Sequence, residues 1–294
     1  MTLLNIRDVS LFVEIMGEGD PVLLIHGGPG LDHTTLLGLK PLADELKLVF
    51  YDQRCNGRSE GAEVSSITFE NLTADAEALR EALGFDHWAV LGHSFGGNVA
   101  LEYALRYPHS LSRLVLINTG ADQWWVNEHA PTLLSKRGYS QDQVQAARRF
   151  YNGQLNKDEF FSLFMKFSRA YYYHFSYLGL IKTIFSGHMP KTRPEALIFG
   201  YSQLLRGWSV MDRLSEIHLP VLVLAGRHDF LFPAEHQAIL ADRLPNARLE
   251  LIERAGHNPF DERQVEVLPI LREFLVGSRP ESKAQDGFRD QLRN

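Results

Sequence analysis

Short uninterrupted apolar runs recur along this chain: Val22-Leu23-Leu24-Ile25, Leu48-Val49-Phe50-Tyr51, Trp88-Ala89-Val90-Leu91, Leu114-Val115-Leu116-Ile117 and Val221-Leu222-Val223-Leu224. Runs of this kind suit strands buried on both faces of a parallel sheet. Between them the apolar positions change to helical spacing. Leu72, Ala76, Leu79 and Leu83 mark a helix over Thr68 to Leu83, with Gly84 at its C-terminal stop. Thr34 to Leu46, Asn98 to Tyr107 before Pro108, and Ala234 to Leu244 read the same way. Two short strands, Leu3 to Arg7 and Ser10 to Met16, open the chain; a strand from Arg248 to Ile252 and a helix from Asp261 to Leu275, bent by Pro269, close it. Strands alternating with helices predict an α/β fold with a mostly parallel central sheet and helices on both faces.

The alternation lapses after Asn118-Thr119-Gly120. There the chain turns aromatic, with Trp124, Trp125, Phe150, Tyr151, Phe160, Phe161, Phe164, Phe167 and Tyr171 to Tyr173 among others, and resumes its pattern at Leu219. The interval is expected to be a helical cap inserted into the core. The organisation predicted is core over 1–120, cap over 121–213, core again over 214–277, and a polar C-terminal tail over 278–294. A cap with so many rings is expected to pack a small core of its own, with some rings facing a cleft.

Composition narrows the classes. Hydrophobic residues at 45% and charged residues at 22% are those of an ordinary globular protein. The net charge of −6, without a Lys/Arg cluster, gives no electrostatic reason to expect nucleic acid or an anionic membrane as partner. Met1 to Asp20 carries Arg7, Asp8, Glu14, Glu18 and Asp20, so it lacks the pattern of a secretory signal, and no later stretch approaches a membrane span. The lone Cys55 forms no internal disulfide and no multi-cysteine metal site. A cytoplasmic protein without a metal or other cofactor is expected.

The candidate chemistry lies where the predicted strands end. Gly92-His93-Ser94-Phe95-Gly96 follows one strand and opens a helix, the context of a nucleophile elbow, in which a serine on a sharp strand-to-helix turn keeps its Oγ exposed. Asp229 follows the strand at Val221, and His257 follows the strand at Arg248. The order Ser94, Asp229, His257 is that of α/β hydrolases, and the carboxyl ends of strands are where an open α/β sheet binds its ligand. A serine hydroxyl is a weak nucleophile, so His257 is expected to take its proton and Asp229 to orient the imidazole. The backbone N–H groups of Phe95 and of Gly28, in His26-Gly27-Gly28-Pro29-Gly30, are the expected oxyanion donors. His26 is expected to shape that loop, His93 and His228 to be packing residues rather than a metal pair, and Asp52-Gln53-Arg54 to form internal ion pairs and hydrogen bonds. Cys55 has no elbow of its own and is not read as a nucleophile.

Those segments, together with Gly57-Arg58-Ser59 and Gly226-Arg227-His228-Asp229, resemble the proline iminopeptidase branch of the α/β hydrolases, across Val22 to Leu116 and Leu219 to Leu275. The resemblance implies the Ser94, Asp229, His257 triad, the Gly28 and Phe95 oxyanion hole, and a helical cap over the site. Three positions depart from that branch. Phe230 stands where an acidic residue can follow the catalytic Asp; Glu195 is the nearest counterpart of the acidic cap motif; Cys55 replaces a usual glycine. Trp124, Trp125, Phe230 and Glu195 are the candidate pocket residues. An aromatic pocket favours an apolar acyl or aromatic group, because a buried ammonium without a carboxylate partner is costly. The expected function is a serine hydrolase acting on a small ester, amide or short peptide through an acyl-enzyme, carboxylesterase-like on a proline iminopeptidase-like scaffold. The alternatives are a proline iminopeptidase, a carbon–carbon bond hydrolase or lactonase, and a non-catalytic ligand sensor.

Overall fold

Each apolar run becomes a strand whose alternate side chains enter two different cores. The computed structural model describes residues 2–176 and 190–276; the predicted polar tail lies outside them, as do residues 177–189 of the cap interval. Strands β1 (Thr2–Ile6), β2 (Val9–Met16), β3 (Asp20–Ile25), β4 (Leu46–Tyr51), β5 (Trp88–His93), β6 (Leu111–Ile117), β7 (Val221–Gly226) and β8 (Ala247–Ile252) form one sheet in the order β1-β2-β4-β3-β5-β6-β7-β8. Among these strands only the β1/β2 and β2/β4 pairs are antiparallel.

One core takes Leu23 and Ile25, Val49 and Tyr51, Trp88 and Val90, Leu114 and Leu116, and Val221 and Val223. The other takes their neighbours Val22 and Leu24, Leu48 and Phe50, Ala89 and Leu91, Val115 and Ile117, and Leu222 and Leu224. Side chains of a strand alternate between faces, so a run apolar at every position demands cover on both sides. Helices α1 (Phe69–Ala82), α2 (Phe95–Arg106) and α7 (Ala234–Arg243) cover the first face. A 3₁₀ segment, His33–Asp44, and the C-terminal helix α9 (Gln264–Val276) cover the second.

Two helices differ from the sequence expectation. The segment predicted over Thr34 to Leu46 is 3₁₀, capped by the Asp32 side chain and containing Pro41; its buried leucines, Leu36, Leu39 and Leu42, recur every third residue, which is the 3₁₀ period. The closing helix is two helices. Pro259 starts α8 (Pro259–Glu262), Arg263 breaks it, and α9 carries Pro269 inside.

The cap contains α3 (Trp124–Lys136), α4 (Gln141–Tyr151), α5 (Phe160–Phe167), a 3₁₀ turn Ser168–Tyr171 and α6 (Pro194–Phe199). Its rings pack on one another: Phe150 contacts the rings of Phe160, Phe164 and Phe167. This third cluster also takes in Phe230, Leu231 and Phe232 from the loop after β7. The chain enters and leaves the cap side by side, bridged at Asp122 and Ser209.

The Asp52-Gln53-Arg54 stretch at the end of β4 carries the expected ion pairs, made by Arg54, and hydrogen bonds, among them that of Asp52 to His33. Buried Arg54 pairs with Asp75 at 2.6 Å and with Asp8 at 3.0 Å, and buried Asp52 accepts from His33 Nδ1 at 2.6 Å. Cys55 is buried and adopts φ +61°, the left-handed backbone that explains why glycine suits this position. Among the described residues no helix is long and apolar enough to cross a membrane, and no group of three or more His, Cys, Asp or Glu residues is arranged to hold a metal ion.

Candidate active site

β5 delivers Ser94 into a turn with φ +54° and ψ −125°, a strained backbone for a residue bearing a side chain. The neighbouring glycines make the turn possible. A Cβ on Gly92 would lie 2.4 Å from the Gly96 carbonyl oxygen, and one on Gly96 would lie 2.0 Å from that of Ile25. α2 therefore starts against β3, with Phe95 as its first residue and the Thr119 hydroxyl donating to the Ser94 carbonyl at 2.7 Å.

Asp229 and His257 arrive from the ends of β7 and β8. His257 Nδ1 donates to Asp229 Oδ2 at 2.8 Å, which leaves Nε2 as the ring nitrogen available for proton transfer. Asp229 is fully buried and accepts two further bonds, from the Asn118 amide at 2.7 Å and the Leu231 N–H at 2.9 Å. Burial pushes this carboxyl up, but the His257 ring beside it, their hydrogen bond and the two other donors outweigh that effect and hold it below its ordinary value. The Ser94 hydroxyl makes no hydrogen bond to the His257 ring among the described residues.

The loop at the end of β3 is fixed from beneath. His26 Nδ1 donates to the Gly27 carbonyl at 2.7 Å, and its Nε2 accepts from the Gln53 N–H at 3.2 Å. Gly28 follows with φ +124°, a conformation that favours glycine. Its carbonyl accepts from the Tyr201 hydroxyl at 3.2 Å, while the Gly30 N–H donates to Asn56. Among the described residues the N–H groups of Gly28 and Phe95 have no protein acceptor.

His93 is buried beneath the site, donating from Nε2 to the His257 carbonyl at 2.9 Å and meeting the Phe260 ring edge-on. Burial, reinforced by the neighbouring His257, pushes it down to about 3. His228 packs against the Tyr173 ring.

A narrow cleft opens at Ser94. Its wall is mostly apolar: Phe95, Val126, Leu205, Leu231 and Phe232, with the phenols of Tyr151 and Tyr201 and the amides of Asn98 and Gln123. The four pocket candidates stand elsewhere. Trp124 is 62% exposed and faces a neighbouring cavity with Trp208. Trp125 is stacked between His129 and His236. Phe230 is fully buried against Tyr151 and Tyr171 in the cap cluster. Glu195 extends towards Lys157, 3.9 Å away.

Sequence reasoning missed Asn118, which both holds Asp229 and accepts from the Gly226 N–H at 3.1 Å. Its signal was available, since it too follows a strand end. It also missed Tyr151, Tyr171 and Tyr201, which come from separate cap segments and share no spacing.

Residues 20–264 match the sequence model of the alpha/beta hydrolase fold family. Proline iminopeptidase of Lactobacillus delbrueckii subsp. bulgaricus is 28% identical over 283 residues, covering 90% of this chain and 94% of that protein. The proline iminopeptidase of Clostridioides difficile is 27% identical over 299 residues, covering 92% and 95%. Among solved structures, a proline iminopeptidase-related protein from Thermus thermophilus superposes with a TM-score of 0.77 at 22% identity, covering 95% of this chain and 98% of that one. An esterase from Exiguobacterium antarcticum superposes with a TM-score of 0.74 at 20% identity, covering 94% and 99%. At these identities the two structures speak for the fold alone.

Proposed function

The chain belongs to the α/β hydrolase fold family, and on that premise we propose that it is a serine hydrolase that cleaves small esters with an apolar acyl group through an acyl-enzyme. Ser94 Oγ attacks the carbonyl carbon as His257 Nε2 takes its proton. Asp229 holds the ring by Nδ1 and stabilises the cation that forms. The Phe95 and Gly28 N–H groups receive the developing oxyanion, and removal of one such donor typically costs about 3 kcal/mol. His257 then protonates the leaving group, and a water activated by the same nitrogen releases the acid. The contact between Ser94 and His257 forms when substrate enters, as is common for catalytic hydrogen bonds that are long or absent in a free enzyme. The lone cysteine supports a reducing compartment such as the cytoplasm.

One observation carries the ester reading: the cleft that contains Ser94 has an apolar wall with no carboxylate among the described residues. Residues 177–189 contain no Asp or Glu in their sequence either. An ammonium at the end of a peptide would enter this cleft without a counter-charge, at a cost of several kcal/mol. The second reading, a proline iminopeptidase, is favoured by relatives of that name at 27–28% identity over about nine-tenths of the chain.

The test compares prolyl and alanyl naphthylamides with short and medium p-nitrophenyl esters on one preparation. Ester turnover with a burst of p-nitrophenol is expected. In Ser94→Ala the rate should fall by a factor on the order of 10⁴ or more, as for loss of a triad nucleophile. A strong preference for the prolyl amide would overturn the ester reading in favour of the peptidase. Turnover that survives Ser94→Ala would overturn the serine mechanism.

A further inference from the structure

Tyr151 ends α4 and Tyr171 ends the 3₁₀ turn that follows α5, and their hydroxyls hydrogen-bond to each other at 2.5 Å. Tyr151 lines the cleft with Ser94. The Tyr171 ring stands edge-on to the His257 ring, 5.1 Å between centroids, and its carbonyl accepts the His257 N–H at 2.7 Å. The pair is therefore anchored on the histidine side of the cleft. Burial pushes both phenols above their ordinary value, so both keep their protons throughout the working range of a hydrolase.

Two phenols carry two protons, and their mutual bond uses one. Among the described residues no other protein acceptor takes the second. One O–H thus remains, and with Tyr171 as the donor within the pair it is that of Tyr151, which lines the cleft.

We propose that the Tyr151–Tyr171 hydroxyl pair is a further catalytic element, donating a hydrogen bond to the leaving-group oxygen of the ester. The inference rests on the serine-hydrolase reading above. The leaving group must stand next to His257, because it receives the proton that His257 took from Ser94. In acylation the Ser94 Oγ–carbonyl carbon bond forms and the bond from that carbon to the leaving oxygen breaks, its electron pair passing to the oxygen. The His257 Nε2 proton follows to that oxygen. The tyrosine keeps its own proton and supplies only a hydrogen bond to the charge as it develops.

The test varies the leaving group at a fixed acyl group. Wild type, Tyr151→Phe, Tyr171→Phe and the double variant are assayed on ethyl butyrate and on p-nitrophenyl butyrate, comparing kcat/KM, which reports acylation. An ethoxide leaving group carries far more charge demand than p-nitrophenolate. Each single variant is expected to lose about tenfold or more on the ethyl ester and less than about threefold on the p-nitrophenyl ester, as for loss of one donor to a developing oxyanion. The double variant should lose little more than either single one, because the pair acts as a unit.

Equal losses on both esters would mean that the phenols only hold the cap, and would overturn the proposal. So would an unchanged kcat/KM for both single variants on the ethyl ester. Either result leaves wild-type hydrolysis intact and so condemns this inference alone, whereas a wild type that turns over neither ester condemns the serine-hydrolase reading with it. Phenylalanine keeps the ring packing, and Tyr171→Phe carries the test if Tyr151→Phe, in the cap core, fails to fold.

Discussion

Two buried histidines hold the site from beneath without belonging to it. Burial pushes His26 below its ordinary value of 6.5 and His93 down to about 3. In the unfolded chain both titrate near 6.5. The unfolded state therefore takes up protons first as pH falls, and the stability these rings contribute is fully present above about 6.5 and is lost as pH falls below it, for His93 down to about 3. Replacing His93 by Gln, whose amide can still donate to the His257 carbonyl, should remove up to about 1.4 kcal/mol of pH dependence per pH unit below 6.5. Urea midpoints at pH 7, 6 and 5 would check this: the wild type should fall more steeply than His93→Gln, and parallel slopes would refute it. The residues of the candidate site stand out in the sequence, because Ser94, Asp229 and the Gly28 loop each follow an apolar run at its carboxyl end and His257 follows the last strand. What was hidden was the chemistry that no spacing encodes. Tyr151, Tyr171 and Tyr201 meet only because three cap segments fold over one point, and Trp124, conspicuous in sequence, faces outward at 62% exposure.

Among the elements, α2 is the one whose placement admits least variation. A Cβ on Gly96 would stand 2.0 Å from the Ile25 carbonyl oxygen and 2.7 Å from that of His26, both backbone atoms of the strand and loop that carry Gly28. Gly84, at the end of α1, has φ +74° and nothing within 4 Å of its Cβ position. These two glycines separate crowding from conformational strain. Gly84→Ala should cost about 1 kcal/mol, the penalty for a left-handed residue with a side chain. Gly96→Ala should cost more than about 4 kcal/mol or prevent folding, since neither backbone can yield. Thermal unfolding of both variants decides the matter, and similar midpoints would sink the packing argument. Elements of this kind are legible where one pattern dominates, as in strands buried on both faces. The 3₁₀ segment reads as an ordinary helix in sequence although Leu36, Leu39 and Leu42 recur at intervals of three, and the closing helix reads as one because Pro269 is more conspicuous there than Pro259 and Arg263.

At the scale of the whole molecule, core and cap are joined through the loop that carries Asp229. Phe230, Leu231 and Phe232 leave the sheet at the end of β7 and enter the cap cluster, where fully buried Phe230 meets Tyr171 at 5.4 Å and Tyr151 at 6.3 Å between ring centroids. The residue next to Asp229 is thus a fastener of the cap rather than a wall of the cleft. Removing it should open the junction and spare the sheet. Phe230→Ala leaves a cavity and is expected to cost about 3–5 kcal/mol. Because its contacts are in the cap cluster, most of that loss should appear as sub-global opening of the cap. Hydrogen exchange followed by mass spectrometry should then accelerate in α4, α5 and the 168–171 turn while β3, β5, β6 and β7 exchange at wild-type rates. Ester turnover should fall as well, because the Tyr171 carbonyl that receives the His257 N–H and the Tyr151–Tyr171 pair both move with the cap. Uniform acceleration across sheet and cap would contradict this. It would mean that the cap has no separate opening and unfolds with the sheet as one unit.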